Sequence, residues 1–379
     1  MPTKYDVFAK IIEHAPCKAN DLQFKTPVYK HLQALRLTGW IKVVNKSYIP
    51  INNTTTILSF KIIKYCITNG LDYNKFFSKN ISLVLKELAI HTPNLRPIKL
   101  KANKENTTIL QYLEQNQFIL LIKKKPRRGI IFNHQLINYI FELNQIKIPI
   151  HTKYTPIITD LLKIKTNILN PFDDSIFQFL SGSAQLEGST ITAGETKDII
   201  IKDIYPDKPQ KDIQMIKNLN EAMHHVIEHL DENITPEHIM ELNKLTMFSM
   251  HRNAGKYKIT HNKIQGNPDF KTAYPKDVPI LMQKYCDNLK KIINKEQCLN
   301  QLGQIHNDLH RIHPFSDGNS RTTRMVLNWM LLKHNLPLLV LKMGCFDEYM
   351  SLTKLSKTRD DNTLTELFQH LILHEHLIN

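Results

Sequence analysis

Residues 305–330, IHNDLHRIHPFSDGNSRTTRMVLNWM, hold the densest set of potentially reactive side chains in the sequence. Ile305, Leu309 and Ile312 recur at helical spacing before a polar loop, and Met325, Val326 and Trp329 do so after it, so the pattern predicts two buried helices. The loop between them, PFSDGNS, has Pro314 as a breaker and Gly318 free to take a positive φ. A helix that opens straight after such a loop presents unpaired backbone N–H groups, and these act with its dipole as an anion site. Arg321 and Arg324 stand three residues apart on the first turn of that helix, where cations oppose the dipole. An anion bridging loop and arginines removes the conflict. Asp317 offers a carboxylate through which Mg²⁺ can reach phosphates, and His313 at the loop entrance is placed to take a proton from an attacking hydroxyl. A lone histidine or Asp-Gly-Asn turn carries no such message. The constellation describes a triphosphate cradle with a base and a metal-binding carboxylate at one edge.

The elements that must position this loop are helical. From residue 172 onward, amphipathic segments run over 175–187, 193–200, 208–230, 235–249, 278–293, 296–311, 321–335 and 346–357, with a short irregular stretch around 256–266. The first fifty residues read differently. A helix over 5–14 and a second over ANDLQF precede a third, for which Thr26 is the expected N-cap, Pro27 the first helical residue and Gly39 the stop. WIKVVNKSYIPI then forms two strands turning at Asn45-Lys46, and the whole resembles a winged helix-turn-helix. Residues 55–95 are helical and apolar. TILQYLEQNQ continues as helix into a hairpin, FILLI and IIF, whose turn KKKPRRG carries Lys123, Lys124, Lys125, Arg127 and Arg128. A boundary is expected near 145–160. The fold class is therefore mainly α: an all-helical core with a short β flap over 151–379, preceded by a basic α+β winged-helix-like region divided at 1–52 and 53–150.

Composition bounds the partners. The 379-residue chain has a net charge of +15. Residues 1–150 hold 23 Lys and Arg against 8 Asp and Glu, and the remainder holds 27 of each sign, so the surplus is confined to the first two-fifths. That asymmetry suits nucleic acid, with the cationic hairpin turn as the expected phosphate contact, although no aromatic residues are spaced for base stacking. Five scattered cysteines without a CxxC pair argue against a disulfide framework or zinc site and for a reducing, cytoplasmic setting. No apolar run reaches about twenty residues, so no membrane partner is expected.

Residues 313–324, HPFSDGNSRTTR, resemble the signature HxFx[DE]GN[GK]R of the Fic family, followed by a second arginine. His313, Phe315, Asp317, Gly318, Asn319, Arg321 and Arg324 carry the match, and AGKYK (254–258) and DEYMSL (347–352) extend the resemblance over about 170–370. The resemblance implies a protein adenylyltransferase that uses ATP and Mg²⁺ to place AMP on a Ser, Thr or Tyr hydroxyl of a protein target. His313 would be the catalytic base and Asp317 the metal ligand. Asn319, Ser320 and the amide of Gly318 would stabilise the α-phosphate, and Arg321 and Arg324 would bind the β- and γ-phosphates. The flap residues Asn262, Lys263, Ile264 and Gln265 would pair with an extended target segment. Ser320 replaces a usual glycine, which strains the loop if the position needs a positive φ. Asn262 stands where a flap valine is common, and Ser356 where an asparagine often meets the nucleotide.

SGSAQLEGSTIT (181–192) resembles the family's inhibitory motif through Ser183, Glu187 and Gly188, with an inhibitory helix at about 175–188. In the family the glutamate pairs with the second arginine, here Arg324, and displaces the γ-phosphate. Two other readings stand beside this one: a DNA-binding regulator with a degenerate Fic domain, and an enzyme using another nucleotide donor such as UTP or CDP-choline. Removal of AMP by the same glutamate, and a homodimer, are both left open by the sequence.

Overall fold

The computed structural model describes residues 2–378 except 79, 95, 102, 125, 151, 153, 165–169, 171 and 265. The chain begins with α1 (Lys4–His14), a 3₁₀ turn (Ala19–Leu22), α2 (Tyr29–Leu37) and the antiparallel pair β1 (Ile41–Val44) and β2 (Ser47–Pro50). Thr3 and Asp6 close a capping box on α1. Asn45 and Lys46 take φ of 50° and 65°, the two positive values that a two-residue hairpin turn with the right strand twist requires. Val7, Phe8, Ile11, Leu32, Leu35 and Trp40 form a small buried cluster under these elements. Helix α2 starts at Tyr29, with Val28 as an N-cap whose side chain accepts no hydrogen bond, so the expected start, with Thr26 as cap and Pro27 as first residue, lies two residues early. Gly39, at φ 73°, ends the turn as expected.

Next come α3 (Thr54–Thr68), α4 (Tyr73–Phe76), α5 (Ile81–His91), α6 (Lys104–Gln115), the hairpin β3 (Ile119–Lys124) and β4 (Arg127–Ile131), and α7 (Gln135–Leu143). The hairpin is buried on both sides. Ile119 and Ile131 pack with α5, α6 and α7, whereas Leu120, Ile130 and Phe132 join the core of the following region. Period-two alternation places its two faces in two different cores.

That larger core is built from α8 (Ile158–Leu162), α9 (Asp174–Gln185), α10 (Ala193–Lys202), α11 (Gln210–Glu228), α12 (Pro236–Thr246), α13 (Val278–Leu289), α14 (Lys295–Asn300), α15 (Leu302–Ile312), α16 (Asn319–Lys333), α17 (Phe346–Leu352) and α18 (Asp361–Ile378). Residues 319–332 of α16 are all buried. A helix apolar or buried around its whole circumference belongs at the centre of a bundle, and here α11, α12 and α15 surround it. The predicted helix over 296–311 is broken at Gln301 into α14 and α15, and α18 was not among the expected segments. In place of a β flap, an isolated antiparallel bridge joins Tyr257 to Phe315, and residues 259–264 run without strand pairing.

Candidate active site

His313 ends α15 as its C-cap in the left-handed region, at φ 49° and ψ 58°. Its N–H still bonds the Leu309 carbonyl at 3.0 Å, so the helix delivers the imidazole and the backbone then turns away. Nδ1 lies 3.2 Å from the His310 carbonyl. A carbonyl can only accept, so Nδ1 carries the proton and Nε2 keeps its lone pair. Burial is the main reason the His313 pKa falls to about 4; the His310 carbonyl opposes this, and the Lys258 and Lys354 ammoniums add to it. The ring is thus neutral at physiological pH, as a proton acceptor must be.

The loop that follows is held by its own side chains. Asn319 Oδ1 accepts from Phe315 N at 2.9 Å and its Nδ2 donates to Phe315 O at 2.8 Å, latching both ends of the loop. The Asn319 side chain thus braces the loop, with the second N–H of Nδ2 still available, and its backbone N–H is at the helix start. Gly318 is the N-cap of α16 at φ 77°, and a Cβ there would lie 2.5 Å from Met247 Cγ and 2.9 Å from Asn243 Nδ2. Conformation and space both demand glycine. Ser320 lies inside the first turn of α16 and is not among the residues of positive φ, so the strain anticipated for it does not arise. Asp317, at the rim, is 57% exposed in its side chain; Oδ1 accepts from Gly318 N and stands 3.8 Å from Arg321.

The two arginines are in opposite states. Arg324 is 3% exposed and fully engaged: Nε donates to Ser183 Oγ at 2.9 Å, and NH2 donates to Ser183 O at 3.0 Å and to Glu187 Oε1 at 2.8 Å. Arg321 is also buried, yet among the described residues its Nε has no partner, and its guanidinium meets Met250 Sδ at 3.8 Å and Asp317 Oδ1 at 3.8 Å. A buried guanidinium with an unpaired Nε–H is a donor suited to an anion. Glu187 follows the last turn of α9, and Gly188 at φ 92° reverses the chain behind it. Burial alone would raise the Glu187 pKa; the charges of Arg324 and Arg321 and the Arg324 hydrogen bond overcome that and hold it below the usual carboxylate value.

The flap is pinned to the loop. Asn262 Nδ2 donates to Phe315 O at 3.1 Å and Ser316 O at 3.4 Å, and Thr272 Oγ1 donates to Asn262 O. Lys263 is exposed and Ile264 half-buried, whereas Gln265 lies outside the described residues. The carbonyl of Ser356 accepts from Asn267, just beyond the flap, at 2.9 Å.

Three contributors escaped the sequence reading. Asn243 on α12, 1% exposed, donates to Asp317 O at 3.0 Å and Thr322 Oγ1 at 3.2 Å and accepts from Gly255 N at 2.9 Å. Its signal was available: an amide on the buried stripe Ile239, Leu242, Asn243, Thr246. Lys258, 2% exposed, has its N–H on Pro314 O and its Nζ 3.4 Å from Ile312 O, and burial lowers its pKa to about 8. Lys354 shares the field of the site: burial depresses its ammonium, Glu187 and Asp317 support it, and Arg324 and Arg321 oppose it.

Residues 233–331, which hold this histidine, the braced loop and the helix start with its two buried arginines, match the Fic/DOC family model. The chain is 26% identical over 196 residues to the protein adenylyltransferase Fic of Drosophila grimshawi, covering 49% of this chain and 39% of that protein. It is 28% identical over 177 residues to the protein of the same description from Nematostella vectensis, covering 45% and 40%. The matches thus span about two-fifths of the length of these relatives. Among solved structures, a Fic domain containing signaling protein from Bacteroides thetaiotaomicron is similar at 23% identity and a TM-score of 0.49, covering 58% of this chain and 92% of that one. Fic-1 from C. elegans is similar at 14% identity and a TM-score of 0.45, covering 100% and 97%.

Proposed function

We propose that this chain is a protein adenylyltransferase held in an inhibited state by Glu187. The observation that carries the reading is the contrast between Arg324, sequestered by Ser183 and Glu187, and Arg321, buried with an orphaned Nε beside the open start of α16. Nε2 of His313 takes the proton of a Ser, Thr or Tyr hydroxyl on the target, and the oxygen attacks the α-phosphorus of ATP. Pyrophosphate leaves, and AMP remains esterified to the protein. The backbone N–H groups at the start of α16 stabilise charge on the phosphate oxygens, and Arg321 holds the β-phosphate. Asp317 is an exposed carboxylate at the rim, which suits Mg²⁺, a cation that takes one or two carboxylates and completes its shell with phosphate oxygens and water. Bound there, the ion would neutralise phosphate charge. With Glu187 in place Arg324 cannot reach a γ-phosphate, so ATP lacks its productive anchor. The flap residues Asn262, Lys263 and Ile264 offer their backbone to an extended segment of the target.

Donor choice is tested by incubating the Glu187→Gly protein with ATP, UTP and CDP-choline in turn and measuring the intact mass. An increase of one AMP with ATP alone supports the reading. Transfer from UTP or CDP-choline in preference to ATP replaces the donor.

A further inference from the structure

The charge surplus of the first 150 residues needs a surface. At the β3–β4 turn Arg127 and Arg128 are half-buried, and the side chains of Lys123, Lys124 and Lys125 lie outside the described residues. Helix α2 presents a continuous surface. It packs against α1 and β1 through Leu32 and Leu35 and leaves Tyr29, Lys30, Gln33, Arg36 and Leu37 exposed. At 100° per residue these five fall within an arc of about 120°, a single continuous stripe along the helix. The stripe contains no carboxylate. Beside it the β1–β2 hairpin exposes Lys42, Val43, Val44, Asn45 and Lys46.

The electrostatic balance around this stripe is one-sided. Between residues 15 and 52 there are six Lys and Arg and a single acidic residue, Asp21, whose carboxylate is occupied by the Lys18 N–H at 2.6 Å. Among the described residues, the side chains of Lys25, Lys30, Arg36, Lys42 and Lys46 make no ion pair or hydrogen bond with the protein. At the N-terminal end of α2, which has no side-chain cap, a cleft of about 390 Å³ is lined by Asn20, Gln23, Lys25 and Thr26.

From this geometry we infer that residues 1–52 bind duplex DNA, with α2 in the major groove and the β1–β2 hairpin on the flanking backbone. The side chains fit the two tasks. Gln33 can pair bidentately with adenine and Arg36 with guanine, while Lys25, Lys30, Lys42 and Lys46 are free to neutralise phosphates. DNA is favoured over RNA because the B-form major groove, about 12 Å wide, admits a helix, whereas that of A-form RNA is too narrow for side chains to read. Three helical elements followed by a basic hairpin are the pieces such docking uses, with the last helix as the reading element.

The test is fluorescence anisotropy of the full chain with a labelled mixed-sequence duplex, titrated over salt, followed by selection from a randomised duplex pool. Wild type should bind with log K falling linearly in log salt. Lys30→Ala/Gln33→Ala/Arg36→Ala should remove the sequence preference and lower the slope by about 0.9, the loss of the one phosphate-neutralising charge of Lys30. Lys42→Ala/Lys46→Ala should weaken binding to all sequences alike. Lys10→Ala, on the outer face of α1, should change nothing, and an unchanged unfolding midpoint shows each variant to be folded. Absence of binding at low salt overturns the inference. So does equal binding by the triple variant, or a preference for duplex RNA or for phosphatidylserine vesicles over duplex DNA.

Discussion

His313 has its pKa lowered to about 4 by burial, and His306, buried deeper on α15, to about 3. Both lie below the unfolded value of about 6.5, so the unfolded chain binds more protons between those limits. The stability these histidines allow is present above pH 6.5 and is lost as the pH falls toward 4, which denaturant midpoints measured from pH 7.5 to 4.5 should show. The acid limb of kcat/KM should lie below pH 6, not at the ordinary histidine value. His313→Ala should lower transfer about 10²–10⁴-fold, the usual contribution of a general base. The arginines make a sharper prediction. In the Glu187→Gly protein, Arg324→Ala should weaken ATP binding by about 1.5–3 kcal/mol, the worth of a charged hydrogen bond, whereas with Glu187 present it should change affinity little. Calorimetric titration of the four proteins reads the difference.

At the scale of elements, the loop is fixed from outside as much as from within. Asn243 reaches from α12 to the loop, to α16 and to Gly255, so Asn243→Ala strands Asp317 O and Gly255 N, while Thr322 keeps its bond to Gly318 O. The expected result is a lowered unfolding midpoint together with weaker ATP binding, the cost being about 1–3 kcal/mol per stranded group. Much of this architecture could be read in advance. The helices on either side of the loop declared themselves by apolar spacing and breakers, and Ser183 and Glu187 could be placed toward Arg324 before any fold was known. Other parts could not. Helix α18 carries Leu364, Leu367, Phe368, Leu371 and Ile372 on a buried side but is interrupted by half-polar neighbours, and its pairing with α15 is a tertiary fact. Val28 at the start of α2 has no capping side chain, so local chemistry pointed to Thr26 instead. The Asn319 latch needed the loop's closed conformation to be recognised, because an asparagine beside a glycine reads equally as turn, cap or ligand.

Across the whole molecule, the basic half is tied to the inhibitory helix by a buried polar junction. Gln117, fully buried after α6, donates to Val340 O and Glu375 Oε1 and accepts from Lys342 N. Lys342 Nζ in turn bonds Glu375 Oε1 at 3.0 Å and Gln178 Oε1 on α9 at 2.9 Å. Gln178 faces away from Arg324, on the side of α9 opposite Ser183, so the helix bearing the inhibitory serine is clamped from both sides. Lys342→Met leaves Glu375 without its cation and should destabilise the protein by about 3–5 kcal/mol, as breaking a buried ion pair does. In a thermal scan that loss should come with faster self-modification, since α9 loses its outer anchor. Among the described residues no helix is long and apolar enough to cross a membrane.

The central claim, a transferase restrained by one carboxylate, is tested most directly with α-labelled ATP and Mg²⁺ on wild type, Glu187→Gly and Glu187→Gly/His313→Ala. Label on the Glu187→Gly protein at least tenfold above wild type, a difference of about 1.4 kcal/mol in barrier, and absent from the double variant, is the predicted result. Equal labelling of wild type and Glu187→Gly, or labelling that survives loss of His313, would contradict it.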